Sequence, residues 1–588
     1  MTDVFNIEDY YSTDQQIQEN YERLRKSVKS QRAHPLSYRK EQLGQLSKIM
    51  ENEKEVICEA LKMDLNKGYS ESVLFEICAI ENELRLFASR LEEWNKPEYV
   101  SKSFLYAMDD VHIKRDPYGM VLIIGAWNYP IQLVLLPLAG AIAGGNCAIL
   151  KPSEIAPHCA KVVTDLVTKY MDPECYAVLN GAAKETQKML EYRWEHIFYT
   201  GSNRIAKIIS KAACDHLTPV TLELGGKNPT YVHSDVDLDV TAKRIAWGKF
   251  MNVGQTCLAP DYVLCHSSVV EPFTEAMIRT VKKFYTDNPQ TFSDYGRIIN
   301  KMQLNRITKM LDNTKGEIVL GGERDIDERY LAPTIVKNVK TDDSLFDGEI
   351  FGPVLPILQV DSYEHALDVI NEAEERSLSI YVFCKDKKIV EIFRDRTTSG
   401  SFVSNDSVVQ AGCLSLPFGG VGHSGTGSYH GKYSFENFTH QKAVLLKSQG
   451  GEAINSMRYP PITRKTADRL YSLVMHREGL GKAFSLVKTA VFFAAFTILV
   501  VVIDRIVLLS LMEDYLIYDV IHPLVLEESM IDSRWKMEKV PDEDIEIIEN
   551  EYPYSDDLDN QWYNGANVED KIWNDRVLVY TYNFLKLL

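Results

Sequence analysis

"GMVLIIGAWNYP", residues 119–130, places five consecutive apolar residues, Met120 to Ile124, between two glycines and closes on an asparagine and a proline. An unbroken apolar run of that length does not alternate, so it does not suit a sheet with one wet face. It suits a short strand buried on both faces, as in a parallel sheet covered by helices. The pattern recurs in "CAILK" (147–151), "YAVLNG" (176–181), "HIFYTGS" (196–202) and "VTLELGG" (220–226). Between these runs lie "YPIQLVLLPLAGAIAGG", "APHCAKVVTDLVTKYM", "KETQKMLEY" and "RIAKIISKAACDHL", each long enough for a helix. Strand–helix alternation over residues 119–226 predicts an α/β fold with an open, mostly parallel sheet. Ligands of such sheets bind in the crevice beyond the carboxyl ends of the strands. The candidate functional residues are therefore those that follow the runs. They are Asn128 after the first, Lys151 and Glu154 in "LKPSE" after the second, the glycine turn of "YTGSNRIAKI" after the fourth, and Glu223 in "LELGGKNP" at the fifth.

Upstream, from Gln15 to Trp94, the apolar spacing is helical. Downstream, residues 227–420 alternate again, with helices at "DVTAKRIAWGKF" and "EPFTEAMIRTVKKFY" and strands at "DYVLCHSS" and "GPVLPILQV". This second α/β region contains "NVGQTCLAP" (252–260), where Cys257 stands between a glycine turn and a proline. A free cysteine is ordinarily a small buried hydrophobe, so Cys257 alone is no evidence of chemistry. The glycine-rich "PFGGVGHSGTGSYHGKY" returns the chain from this region, and we read His423 in it as a turn residue.

Composition narrows the partners. The net charge of -18 over 588 residues argues against nucleic acid, and 45% hydrophobic residues allow a large core. Ten scattered cysteines form no CxxC pair, so no metal site is expected. His112, His158 and His196 have no partner at ligand spacing, and Cys265 reads as core. The N-terminus is acidic without an apolar stretch, unlike a signal peptide.

Taken together, "PYGMVLIIGAWNYP", "AILKPSE", "LELGGKNP", "NVGQTCLAPDYVL", "EIFGPVLP" and "LPFGGVGHSGTGSYHGKYSF" resemble the aldehyde dehydrogenase superfamily, in particular its fatty-aldehyde (class 3) branch of the membrane-anchored type. The resemblance implies a Rossmann-like cofactor domain (1–225), a catalytic domain (226–430), and a bridge built from 105–115 and 431–448 that forms a homodimer. It implies Cys257 as nucleophile, the Asn128 amide and the Cys257 N–H as oxyanion donors, and Glu223 as general base for thioester hydrolysis. NAD is the implied cofactor, with NADP as the alternative. Lys151 and Glu154 would hold the adenosine ribose, and the turn Thr200, Gly201, Ser202, Asn203, Arg204, Ile205, Ala206 would lie at the pyrophosphate. Glu349 would bind the nicotinamide ribose, and Phe351 would pack beside the ring. Ala206 departs from the branch, which has a glycine there. A backbone needing positive φ would be strained by that alanine, whereas a helix interior would accept it.

The implied activity is NAD-dependent oxidation of long or medium-chain aliphatic aldehydes to carboxylic acids. Two other readings compete: a thiol hydrolase without redox chemistry, and a catalytically silent membrane-tethered scaffold. The first leaves Lys151, Glu154 and "EIFGP" without a role, and the second does not explain why Cys257, Glu223 and Asn128 are all present.

After a linker (449–482) comes "AFSLVKTAVFFAAFTILVVVI" (483–503), with one charge, Lys488, in 21 residues. As a helix it would extend about 31 Å, enough for a hydrocarbon core of roughly 30 Å. We expect a membrane anchor over 483–512, bounded by Asp504 and Arg505, with "IVLLSLM" in the interface. Arg464, Lys465, Arg469, Arg477 and Lys482 precede it and an acidic tail (513–588), expected to be disordered, follows. The positive-inside rule then faces the catalytic domain to the cytosol. "RYPP" at 458–461 resembles branch members on the endoplasmic reticulum and related membranes.

Overall fold

The computed structural model describes residues 6–102, 106, 109–373, 375–475 and 480–515, and its chain divides into two units, 1–481 and 482–588. Leu105, in the expected bridge, and the tail beyond residue 515 lie outside the described residues.

The first unit opens with helices Asp14–Lys29, Leu36–Asn52, Lys54–Leu65 and Cys78–Trp94. Thr13 starts the first of them through a capping box with Gln16. Leu43, Leu46, Ile49 and Met50, at helical spacing, put the second helix into the same core as the strands that follow. Those strands are β1 (Glu98–Tyr99), β2 (Asp110–Pro117), β3 (Met120–Ile124), β4 (Cys147–Lys151), β5 (Tyr176–Val178), β6 (His196–Gly201) and β7 (Val220–Leu224). Next come β8 (Pro229–Val232), β9 (Tyr262–His266), β10 (Glu317–Leu320), β11 (Arg324–Asp325), β12 (Tyr330–Leu331), β13 (Thr334–Lys337), β14 (Val354–Val360), β15 (Ser379–Phe383) and β16 (Ser401–Ser404). β17 (Gly425–Thr426) and β18 (Thr439–Leu446) complete the set.

All five residues of β3 are buried, as their unbroken apolar character predicts. β3 lies mid-sheet in the order β17-β7-β6-β3-β4-β5, parallel throughout except for β17. From β3 the chain moves to β4 and β5 on one side, then crosses back to β6 and β7 on the other. The strand order therefore reverses at β3, and the crevice opens between the carboxyl ends of β3 and β6. Asn128 and the turn after Thr200 stand at those two ends.

The second sheet has the order β10-β13-β14-β9-β8-β15-β16, parallel except for β10. Separate hydrophobic clusters cover its two faces, one with Tyr231, Leu264 and Val382, the other with Val232, Cys265 and Phe383. A third sheet, β1-β2-β18, is antiparallel, and β2 pairs with β18 over eight residues. β18 forms one outer edge of it, with Leu445 and Leu446 exposed.

The second unit contains an apolar helix assigned as Leu480–Tyr515, within which residues Thr489–Met512 reach a mean hydropathy of 2.5 with none of that window buried. Asp504 and Arg505, expected at the membrane boundary, lie inside this helix. The helix runs through both, because the leucines around them favour continuation and no proline or glycine lies between Lys482 and Tyr515.

Asn146 is the polar tie of the first sheet. Fully buried, it accepts from the Gly119 N–H (2.9 Å) and donates to the carbonyls of Ala141 (3.1 Å) and Phe438 (2.8 Å). It thus joins the entry of β3, the end of the helix Gln132–Gly144 and the entry of β18. Asn146→Ala orphans the Gly119 N–H and the Phe438 carbonyl, while the Ala141 carbonyl keeps the Asn146 backbone N–H (3.0 Å), and at about 1–3 kcal/mol each the fold should lose about 2 kcal/mol or more. A thermal unfolding midpoint unchanged within 1–2 °C, roughly, would contradict this assignment.

Candidate active site

Cys257 follows a turn of unusual backbone. Asn252, Val253 and Gly254 have φ of 47°, 56° and 72°, three left-handed residues in succession. The valine is the costly member, since β-branched residues rarely tolerate positive φ. Glycine is required at 254, where a Cβ would meet the Gly352 carbonyl oxygen at 2.3 Å. Buried amides hold the turn. Asn252 Nδ2 donates to the carbonyls of Asn128 (2.9 Å) and Gln255 (3.1 Å), while Gln255 donates to the carbonyls of Asn252 and Arg297 and accepts from the Ile299 N–H. On the far side of the cysteine, Asn228 donates to the carbonyls of Cys257 (2.7 Å) and Ala259 (3.0 Å) and accepts from the Ser379 N–H. Asn128 Nδ2 donates to the Gln255 carbonyl (3.1 Å), so Asn128 is fastened directly to the cysteine loop.

Apolar side chains surround the sulfur. Met251, Leu258, Leu378 and Val408 are buried in one cluster, with Phe75, Trp247 and Phe418 packed against it. Burial, followed by the nearby Glu223 and Glu349, pushes the Cys257 thiol well above its ordinary value. Glu223, on β7, is buried with its Oε1 unpartnered, and burial raises its carboxyl well above the usual range. Burial and Asp261 raise Glu349 to about 8, against the opposing pull of the Gly226 N–H, Lys227 and Arg306. One thiol and two carboxyls thus share a region that resists negative charge. Removing a proton from any of them makes removal from the others harder. Such a group can carry a sulfur nucleophile whose proton leaves during attack, together with a carboxyl able to accept it.

The crevice residues fit a dinucleotide. Lys151, buried at the end of β4, pairs with Glu154 at 2.5 Å. The helix Asn203–Asp215 begins at Ser202 with no side chain capping its first turn, which leaves N–H groups for an anion. Thr200 Oγ1 is buried without a partner. A Cβ at Gly225 would collide with Glu349 Oε2 at 2.2 Å, so glycine there leaves room for that carboxyl. Phe351, at φ 50°, meets Trp127 edge to face with 5.3 Å between ring centroids.

Ile205 and Ala206 lie within the helix and pack into the first-sheet core, so their side chains shape the helix start rather than face a ligand. The alanine is accommodated because its backbone is helical. Asn203 donates to the His423 carbonyl (2.7 Å), and His423 faces Glu375 at 2.8 Å from the turn expected for it. Arg204 is exposed.

Several residues at this site carried no signal in the sequence. Lys67 and Glu76 form a fully buried pair at 2.6 Å. Lys67 also donates to the Asn128 carbonyl (3.2 Å), and Glu76 accepts from the N–H groups of Ile131 and Gln132. Lys227 bonds Asp261 (2.5 Å) and the carbonyls of Leu345 and Gly348, holding the segment that carries Glu349. Lys227 and Asn228 belong to "LELGGKNP", but only burial marks them as supports. Lys67 and Glu76 stand outside every motif.

Residues 6–444 match the aldehyde dehydrogenase family model. Mouse aldehyde dehydrogenase family 3 member A2 is 44% identical over 439 residues, covering 75% of this chain and 90% of that protein. Human aldehyde dehydrogenase family 3 member B1 is 42% identical over 459 residues, covering 78% of this chain and 97% of that protein. Among solved structures, a substrate-bound Staphylococcus aureus AldH superposes with a TM-score of 0.76 at 38% identity, covering 78% of this chain and 99% of that one.

Because the Cys257 thiol is pushed upward, its thiolate is a minority species at neutral pH and grows about tenfold per pH unit. Iodoacetamide labelling of Cys257 in cofactor-free protein, followed by peptide mass spectrometry, should therefore rise steadily between pH 7 and 9. The exposed Cys214 and Cys413 should react ahead of it, which departs from the rapid labelling expected of a thiolate-prone nucleophile. A plateau below about pH 8 would mean a stabilised thiolate, contrary to this electrostatic picture.

Proposed function

The chain belongs to the aldehyde dehydrogenase family, and we propose that its own reaction is the NAD-dependent oxidation of long- or medium-chain aliphatic aldehydes to carboxylic acids. The observation that carries the substrate class is the apolar lining of Phe75, Trp247, Met251, Leu258, Leu378, Val408 and Phe418 around Cys257. An alkyl chain gains about 0.8 kcal/mol for each methylene it buries against such a wall. Among these side chains no charge is offered to a polar substrate.

In this proposal residues 1–225, which hold every strand of the first sheet but β17, bind the cofactor and residues 226–430 carry the chemistry. Cys257 attacks the carbonyl carbon as its proton passes to Glu223, whose free Oε1 is available for it. The charge that develops on the aldehyde oxygen meets the Cys257 N–H and the second hydrogen of the Asn128 amide, the first being engaged by Gln255. Such a donor is worth about 3–4 kcal/mol to the barrier. When bound, the nicotinamide supplies a two-electron acceptor for the aldehyde hydrogen. After releasing that proton to solvent, Glu223 takes one from a water, whose oxygen adds to the thioester carbon and expels the Cys257 sulfur as the carboxylic acid forms. Lys151 and Glu154 hold the adenosine ribose, and the helix start at Ser202–Arg204 takes the pyrophosphate. Glu154 supports NAD over NADP, because a carboxylate at the ribose repels a 2′-phosphate. Glu349 would hold the nicotinamide ribose, and Phe351 would pack beside the ring.

The outer edge of β18, with unpaired backbone and exposed Leu445 and Leu446, supports a homodimer joined through the β2–β18 bridge. Residues 489–512 support anchorage in a membrane: 24 helical residues extend about 36 Å, which spans with some tilt. The basic stretch before the helix supports a catalytic unit on the cytosolic side, and the resemblance carried by "RYPP" supports the endoplasmic reticulum or a related membrane. Fatty aldehydes partition into bilayers, which gives the anchor a purpose.

Three variants followed by nicotinamide absorbance test the chemistry. Cys257→Ala should lose turnover while binding NAD normally; more than a few per cent of residual activity, roughly, would remove Cys257 as nucleophile. Glu223→Gln should keep a first-turnover burst and lose steady turnover, whereas Glu349→Gln should lose the burst. Matching pre-steady-state traces would refute this division.

The anchor has its own test. A chain ending after Arg477 should be soluble and oxidise short aldehydes at a near-normal rate. The full chain should stay with membranes through an alkaline carbonate wash. Release by that wash would exclude a spanning helix, and failure of the shortened chain to fold would make the helix part of the core.

A further inference from the structure

The register of the second sheet brings three residues able to ligate a metal into one row. Val232 on β8 pairs with Phe383 on β15 and with Cys265 on β9. The residues one step further along the three parallel strands, His233, Cys384 and His266, therefore stand side by side at the carboxyl edge. Neighbouring strands lie about 4.8 Å apart, and residues in one row project from the same face. Asp235 then folds back over the row. Its Oδ1 lies 3.0 Å from His233 Nδ1 and its Oδ2 3.7 Å from Cys384 Sγ, and one ligand atom from each of the three residues falls within 4.8 Å of the others.

We propose that His233, Asp235 and Cys384 bind one divalent cation of the zinc class, with water as the fourth ligand. Thiolate, imidazole and carboxylate together suit a borderline-soft ion rather than magnesium or calcium. Bonds of about 2.0–2.3 Å in a tetrahedron separate ligand atoms by roughly 3.3–3.8 Å, so small side-chain shifts complete the shell. The carboxylate is already oriented by the backbone N–H groups of Lys385 (3.0 Å) and Asp386 (2.9 Å), the outer support that metal ligands require. Cys384 is buried, while the His233 and Asp235 side chains remain 18% and 30% exposed, so an ion can enter from solvent and keep a water. His266 flanks the site, its ring centroid 5.8 Å from that of His233. Its ring nitrogens do not fall within that group, so it is not counted as a ligand, and His233 Nδ1, which accepts from the Asp235 N–H (3.4 Å), would exchange that bond for the ion. The site lies at the opposite end of β9 from Cys257. It does not belong to the aldehyde chemistry, and its occupancy would clamp the segments that follow β8 and β15.

The test is a cobalt(II) titration of the full chain in detergent, in a Cys257→Ser background so that the active-site sulfur contributes nothing. One equivalent should produce a sulfur-to-cobalt charge-transfer band that zinc(II) abolishes by competition. Cys384→Ser should eliminate the band, and His233→Gln should weaken binding at least tenfold, roughly. His233 keeps part of its side chain in solvent, so its variant should fold even if the buried Cys384→Ser does not; circular dichroism checks both. Absence of a band, or a band of equal strength and affinity in His233→Gln, would overturn the proposal and leave the cluster as a backbone clamp made by Asp235.

Discussion

The left-handed run Asn252–Val253–Gly254 is the constraint on which the functional part of this molecule depends. It turns the chain sharply after the helix Leu238–Phe250 and delivers Cys257 to the boundary between the two larger sheets. The conformation is held by amides that also reach the other sheet, since Asn252 donates to the carbonyl of Asn128. The nucleophile candidate and the oxyanion-donor candidate therefore share one hydrogen-bonded frame. A shift in either loop would be felt by the other, because the connecting groups are buried and have no water to replace a lost partner.

Electrostatics at the centre follow from the same burial. Glu223 and Glu349 are both pushed toward their neutral forms, and with them the thiol of Cys257. Placing a thiol and a carboxyl where charge is costly suits a reaction in which a proton passes from Cys257 to Glu223. The supporting charges are handled differently. Lys67 with Glu76, and Lys227 with Asp261, are close pairs whose remaining hydrogen bonds go to the loops carrying Asn128 and Glu349. Buried pairs of this kind contribute little net stability, but breaking one leaves an uncompensated charge. Their effect here is to fix the positions of loops that no regular secondary structure holds.

The chain combines this buried centre, its loops held by hydrogen-bonded amides, with a long helix whose apolar window is wholly exposed. The two units obey opposite rules. In the first, apolar runs are short and covered on both faces by helices, as parallel strands require. In the second, apolar residues surround the helix axis, which in water would be unfavourable and in lipid is the expected state.

The strands of the first sheet were legible because burial on both faces writes an unbroken apolar run into the sequence. The ends of those runs, with the crevice rule, located Asn128, Lys151, Glu154, Thr200 and Glu223 before any coordinates. The roles of Cys257, Glu349 and Phe351 came instead from the resemblance of whole motifs, since a cysteine, a glutamate or a phenylalanine carries no periodicity of its own. Tertiary structure alone decided the rest. It turned Ile205 and Ala206 into the core, carried the apolar helix through Asp504 and Arg505, and set Lys67 and Glu76 under the Asn128 loop. It also brought His233, Asp235 and Cys384 together from two strand ends up to 151 residues apart, where ligand spacing along the chain has no meaning. Local sequence determines which segments are strand or helix and which face each must bury. Strand order and register determine which distant side chains meet, because that depends on how the buried faces stack rather than on any one segment.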